Sequence, residues 1–101
     1  MILDKIIFIV CGYYGVDIDA VINSRRRDAA ISMAREMCMY IMHKVYKISL
    51  SAVSKKMNRT VRLVIYQCVT VENYILMYEA YEDAYKNILK LLSDANEVRD
   101  I

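Results

Sequence analysis

At 101 residues, with 57% apolar residues, no proline and two glycines, the chain has the composition of one small globular domain spanning 1–101. This excludes a disordered chain, and the scarcity of breakers excludes a β-rich fold with many tight turns. The net charge of +2 is unevenly spread, with −2 over residues 1–23, +8 over 24–62 and −4 over 63–101, and so basic a middle third points to a polyanionic partner rather than a merely solvated face.

Residues 4–14 predict a first helix, with Ile6, Ile7, Val10 and Tyr14 at helical spacing, loosened by Gly12 and ended by Gly15. Its apolar run from Ile6 to Cys11 is too short to span a bilayer. It also lacks the basic flank and cleavage site of a secretion signal, so a soluble cytoplasmic protein is expected. Asp17 caps a short second helix to Asn23, with Ile18, Val21 and Ile22 facing inward. A polar basic loop follows, Asn23-Ser24-Arg25-Arg26-Arg27.

Asp28 is an N-cap residue for a third helix running to about Tyr46. Ala30, Met33, Ala34, Met37, Cys38, Ile41 and Val45 make its buried stripe, and Arg35, Glu36 and His43 lie off it. Ser49 caps a fourth helix, 50–57, that buries Leu50, Val53 and Met57. Asn58-Arg59 is a tight turn, and Thr60 caps a fifth helix. Residues 61–71 are rich in Val and Ile, whose propensity alone permits a strand. The lack of breakers and the helical run after them predict a helix instead. Residues 72–92 read as helix with a bend near Glu79-Ala80, and 93–101 should fray. The class is all-α, with about six helices.

Cys11, Cys38 and Cys68 are odd in number, widely spaced and without a CxxC or Cys/His pattern. They read as reduced, mostly buried thiols, not as a disulfide or zinc framework. His43 is the only histidine, and no Ser or Cys nucleophile has a matching His and acid at useful spacing. Neither an enzyme nor a cofactor or metal site is expected.

The fourth helix, the turn and the fifth helix form a helix-turn-helix, in which the second helix enters the major groove with its N-terminal residues at the base edges. Arg59 and Arg62 sit at that entry, Lys55 and Lys56 just before it. Arg62 is the candidate base contact, through guanine O6 and N7, and Arg59 a phosphate contact. Arg25, Arg26 and Arg27 form a second element, able to lie along a backbone or enter a minor groove. Arg35 is a third, with an ion pair to a nearby acid as its alternative role. With Asn58 and Thr60 of the turn, these residues make the expected surface for double-stranded DNA. Near the C-terminus, Tyr74, Tyr78, Tyr81, Tyr85, Ile88 and Leu92 recur at alternating spacings of four and three. That stripe either packs on the protein's own helices or pairs with a second copy or another protein.

From about Ile6 to Leu92 the chain resembles the C-terminal DNA-binding domain of the bacterial replication initiator DnaA. Tyr13-Tyr14 looks like the aromatic pair that ends the family's first helix. Ile18 to Val21 looks like its short second helix, and Arg25-Arg26-Arg27 like its basic loop, here one residue longer. The stretch Ala34-Arg35-Glu36-Met37-Cys38-Met39-Tyr40-Ile41 is similar to the long helix, Ser49-Leu50 to Val53 to the next, and Met57-Asn58-Arg59 to the turn. The resemblance implies a six-helix fold of the Trp repressor class. The family's base-reading acid-His-Thr-Thr run is replaced by Thr60-Val61-Arg62-Leu63, with only Arg59 before it and Val64 after it in keeping. Val61 and Leu63 cannot form hydrogen bonds, so the family's base readout cannot be made by these side chains. No GxxxxGK[ST] loop occurs in the chain, so the initiator's ATPase is not expected. Two readings follow. One is a stand-alone double-stranded DNA-binding domain serving as a regulator or replication accessory factor. The other is a protein-interaction module that keeps the scaffold and acts through the tyrosine face.

Overall fold

Local capping chemistry sets most of the helix boundaries. In the computed structural model, which describes residues 2–100 and side chains through residue 95, the elements in order are α1 (Ile2–Tyr14), α2 (Ile18–Asn23), α3 (Ala29–Tyr40), a π-helical turn (Ile41–Val45), α4 (Leu50–Met57), α5 (Val61–Met77) and α6 (Glu79–Asp100). No strand occurs among the described residues, and 61–71 is helical. Asp17, Ser49 and Thr60 each accept the backbone N–H three residues on, from Ala20, Ala52 and Leu63 at 3.3, 3.1 and 3.1 Å.

Two helices end in the same motif. Gly15 at φ +67° closes α1 with Val16 N–H on Cys11 C=O and Gly15 N–H on Gly12 C=O. Gly12 itself stays inside α1. Asn58 at φ +57° closes α4 in the same way, with Arg59 N–H on Ser54 C=O and Asn58 N–H on Lys55 C=O.

Several local expectations are corrected. The third helix is not one α-helix to Tyr46. Its last turn widens over Ile41–Val45 and ends at Lys47, a non-glycine residue at φ +58°. The extra residue in that turn lets Ile41 and Met42 both reach the core, and His43 Nδ1 lies 2.8 Å from Ile48 C=O. Asp28 occupies the N-cap position without making a side-chain cap bond, because its carboxylate pairs with Arg26. Ala30 and Ile18 are exposed, and Leu50 is half-buried. The expected fraying of 93–101 meets a backbone that is helical to Asp100, while the side chains from 96 on lie outside the described residues.

The core is one cluster. Ile6, Ile7, Val10 and Cys11 of α1 meet Ala34, Met37, Cys38 and Met39 of α3 and Val64, Cys68 and Val71 of α5. Val53 and Met57 seal it below α4, and Ala84, Ile88 and Leu92 seal it from α6. All three cysteines are free and buried. α3 lies between α1 and α5 and fixes the angle at which the α4–α5 pair projects.

The tyrosine stripe is not carried on a single helix. The chain turns at Tyr78, whose φ −124° and ψ 123° separate α5 from α6. Tyr74, Tyr78 and Tyr81 gather there edge to face, with Tyr74 and Tyr81 centroids 5.0 Å apart. Tyr81 donates to Glu36 Oε1 at 2.5 Å, and Tyr85 packs edge-on against Tyr40 with centroids 5.6 Å apart. Tyr81 and Tyr85 thus dock α6 on α3 of the same chain. No helix among the described residues is long and apolar enough to cross a membrane.

A candidate nucleic-acid interface

α4 and α5 meet at the Asn58 turn as a helix-turn-helix, and the Ser24–Arg27 loop runs beside it. The two are joined by arginines. α2 is short, and its last carbonyls have no partner within the helix. Arg35, reaching back from α3, donates from Nε to Val21 C=O at 2.8 Å and from Nη2 to Ala20 and Ser24 C=O at 3.1 and 3.3 Å. Its Nη1 reaches Arg26 C=O at 3.2 Å. Arg59, coming from the turn, donates to Ile22, Asn58 and Ser24 C=O at 2.8, 2.9 and 2.9 Å, with longer contacts to Met57 and Val21 C=O.

Two guanidiniums therefore share the carbonyls of Val21 and Ser24. Each satisfies orphan acceptors and places positive charge at the negative end of a helix dipole. The result is a brace that fixes the basic loop against the turn. Ser54 Oγ donates to Arg59 C=O and holds the turn from the α4 side. Arg35 makes these bonds instead of an ion pair. Arg59, expected beside a phosphate, directs its N–H groups into the protein.

Between loop and turn lies an open groove of about 1090 Å³. Arg25, Arg27, Arg35, Lys55, Asn58, Arg59 and Thr60 line it. Ser32, Glu36 and Met39 of α3, Ser51 and Ser54 of α4, and Leu63 and Gln67 of α5 complete it. Of this second group, Ser32, Ser51, Ser54 and Gln67 were not singled out from the sequence. Their signal was spacing: Ser51, Ser54, Lys55 and Asn58 share one face of α4, as Thr60, Leu63 and Gln67 do on α5.

The remaining sequence candidates divide. Arg26 points to Asp28. Lys56 pairs with Asp4 at 2.5 Å, on the side of α4 that faces α1, and this bond holds the Asp4 carboxyl below its ordinary range. Arg62 is exposed in the first turn of α5, outside the groove lining. None of Arg25, Arg27, Lys55 or Arg62 has an ion-pair partner among the described residues.

The groove's own charges repel one another. Burial, then the neighbouring Arg25, lowers the affinity of Arg35 for its proton. Burial, then Arg35 and Arg25, does the same to Arg59. The one carboxyl in the lining, Glu36, has its pKa pushed up by burial against the opposing effects of the Tyr81 hydroxyl and Arg35. A site that crowds guanidiniums and, by burial, disfavours the charged form of the one acid in its lining has the electrostatics of an anion receptor.

A family model described as the bacterial DnaA protein helix-turn-helix matches residues 3–71. The match takes in α1 to α4 and the first turns of α5, and stops short of α6 and of the Leu92 limit read from the sequence. No curated protein sequence matches the chain. With the all-helical fold, the turn at Asn58 and a match over more than half the chain, the protein belongs to the bacterial DnaA helix-turn-helix family.

Proposed function

We propose that the chain binds double-stranded DNA across the groove and the first turns of α5, and that it serves as a regulator or a replication accessory factor. The observation that carries this reading is the groove, where Arg25, Arg27 and Lys55 stand without carboxylate partners around the N-terminus of α5. In this reading Arg25, Arg27 and Lys55 take phosphates, with Arg26 at the rim and Asn58 and Thr60 offering polar contacts at the turn. Arg62 reaches a base edge, where its guanidinium pairs with guanine O6 and N7. Arg35 and Arg59 are positioning residues whose charge lies at the floor of the groove.

The test sorts these roles. Arg62→Ala should cost about 1–3 kcal/mol on a preferred sequence and flatten sequence preference. Arg25→Ala should weaken all duplexes alike and lower the salt dependence by about one phosphate contact. A protein that retains no duplex at about 50 mM salt would not be a DNA-binding module.

A further inference from the structure

α5 carries a second face that the basic groove does not use. Ile65, Val69 and Leu76 are 47, 57 and 82% exposed, and with Glu72 they recur at spacings of four, three and four, which sets them along one stripe of the helix. The buried ridge of Val64, Cys68 and Val71 separates this stripe from Thr60, Leu63 and Gln67, the residues of α5 and its cap that line the groove. Part of the stripe opens into a cleft of about 290 Å³, in which Leu50, Ile65 and Val69 form an apolar recess and Lys44 and Glu72 supply charge. Neither Lys44 nor Glu72 has an ion-pair partner among the described residues.

The stripe holds both halves of a contact with itself. Leu76 is a projecting apolar side chain, and the recess at Ile65 lies eleven residues, about 16 Å, back along the helix, so Leu76 cannot fill the recess of its own chain. In a two-fold contact, where residue i meets j and j meets i, it fills the partner's. Two α5 helices laid antiparallel with Leu76 over the partner's Ile65 also bring Glu72 opposite the partner's Val69, in the cleft that holds the partner's Lys44. Each acid then meets a cation where the apolar side chains meet, and the two helix dipoles oppose. A parallel pair would set Glu72 against the partner's Glu72 instead. We infer that this face of α5 binds a second copy of the chain as an antiparallel, two-fold α5 pair, with the basic groove of each copy left open. One helix face with three exposed apolar side chains supports a reversible dimer in the micromolar range rather than an obligate one.

Sedimentation equilibrium on the full chain tests this. The wild type should show monomer and dimer in exchange across about 1–100 µM. Leu76→Lys should raise the dissociation constant about tenfold or more, with the helical circular dichroism unchanged, since Leu76 lies outside the core. Lys44→Glu and Glu72→Lys should each weaken self-association, because each sets like charges face to face. An equimolar mixture of those two variants should restore the dimer, because both cross-pairs are then between opposite charges. An ion pair made within one chain could not be restored by mixing. A wild type that stays monomeric at about 100 µM, or a Leu76→Lys that associates as the wild type does, would overturn the inference, and the stripe would then be a surface for a different protein. A mixture that stays monomeric would overturn the antiparallel pairing.

Discussion

A guanidinium that satisfies helix-end carbonyls cannot be replaced by an ammonium, because the bonds depend on a planar fork with donors on several sides. Arg59 is placed in this way, and Arg59→Lys should therefore behave almost as Arg59→Ala does. Each should lower unfolding stability by about 2 kcal/mol, measured by denaturant titration, because charged hydrogen bonds are lost and carbonyls of α2 are left short of partners. Duplex affinity should fall as well, through the freed loop. Glu36 shows the opposite tendency. Its folded-state pKa is raised, chiefly by burial, so the proton is bound more tightly in the folded protein than in the unfolded chain. Its contribution is most favourable below the unfolded carboxylate range and declines as pH rises through the folded value. Glu36→Gln, which can still accept from Tyr81, should raise Tm at pH 7 and change it little at pH 4. A loss of Tm at pH 7 would contradict this account of Glu36. Neither arginine's role was legible in the sequence. Arg35 and Arg59 look like two more cations in a basic stretch, and their carbonyl partners are supplied by another helix packed against them.

At the scale of the elements, what could be read beforehand was what is local. The caps at Asp17, Ser49 and Thr60 need only a side chain and the amide three residues on, and all three form. Asn58 closes α4 because asparagine tolerates the left-handed conformation that a helix-ending turn requires. Asn58→Gly should leave stability within a few tenths of its present value, whereas Asn58→Ala should cost about 1 kcal/mol by the added strain. Thr60→Ala should cost about 1 kcal/mol through the lost cap. Chemical denaturation checks all three, and an Asn58→Ala as stable as the Gly variant would show that the turn is not what ends α4. What was hidden depends on tertiary packing. The π turn brings both Ile41 and Met42 into a core that exists only once α1 has docked. The break at Tyr78, one residue before the expected bend, lets α6 fold back over α5 and α1, with Tyr81 reaching Glu36 of α3 across 45 residues. Heptad spacing could not distinguish that arrangement from one long helix.

For the whole molecule, the uneven charge visible in the sequence becomes a groove in space. The middle third of the chain supplies most of its lining, while the acids near the C-terminus lie mainly on α6. The sequence located this surface but could not separate its cations by role. Lys55 and Lys56 are neighbours in sequence, yet Lys55 lines the groove and Lys56 turns to Asp4 on α1. This supplies an internal control. Duplex affinity measured against salt concentration should give a steep linear plot of log K against log salt for the wild type, since each phosphate contact contributes about 0.9 to the slope. The combined Arg25→Ala/Arg27→Ala/Lys55→Ala variant should be flatter by about 2.7, whereas Lys56→Ala should keep the wild-type slope. A triple variant with an unchanged slope, or a Lys56→Ala that flattens it as much, would contradict the assignment of this groove as the DNA-binding surface.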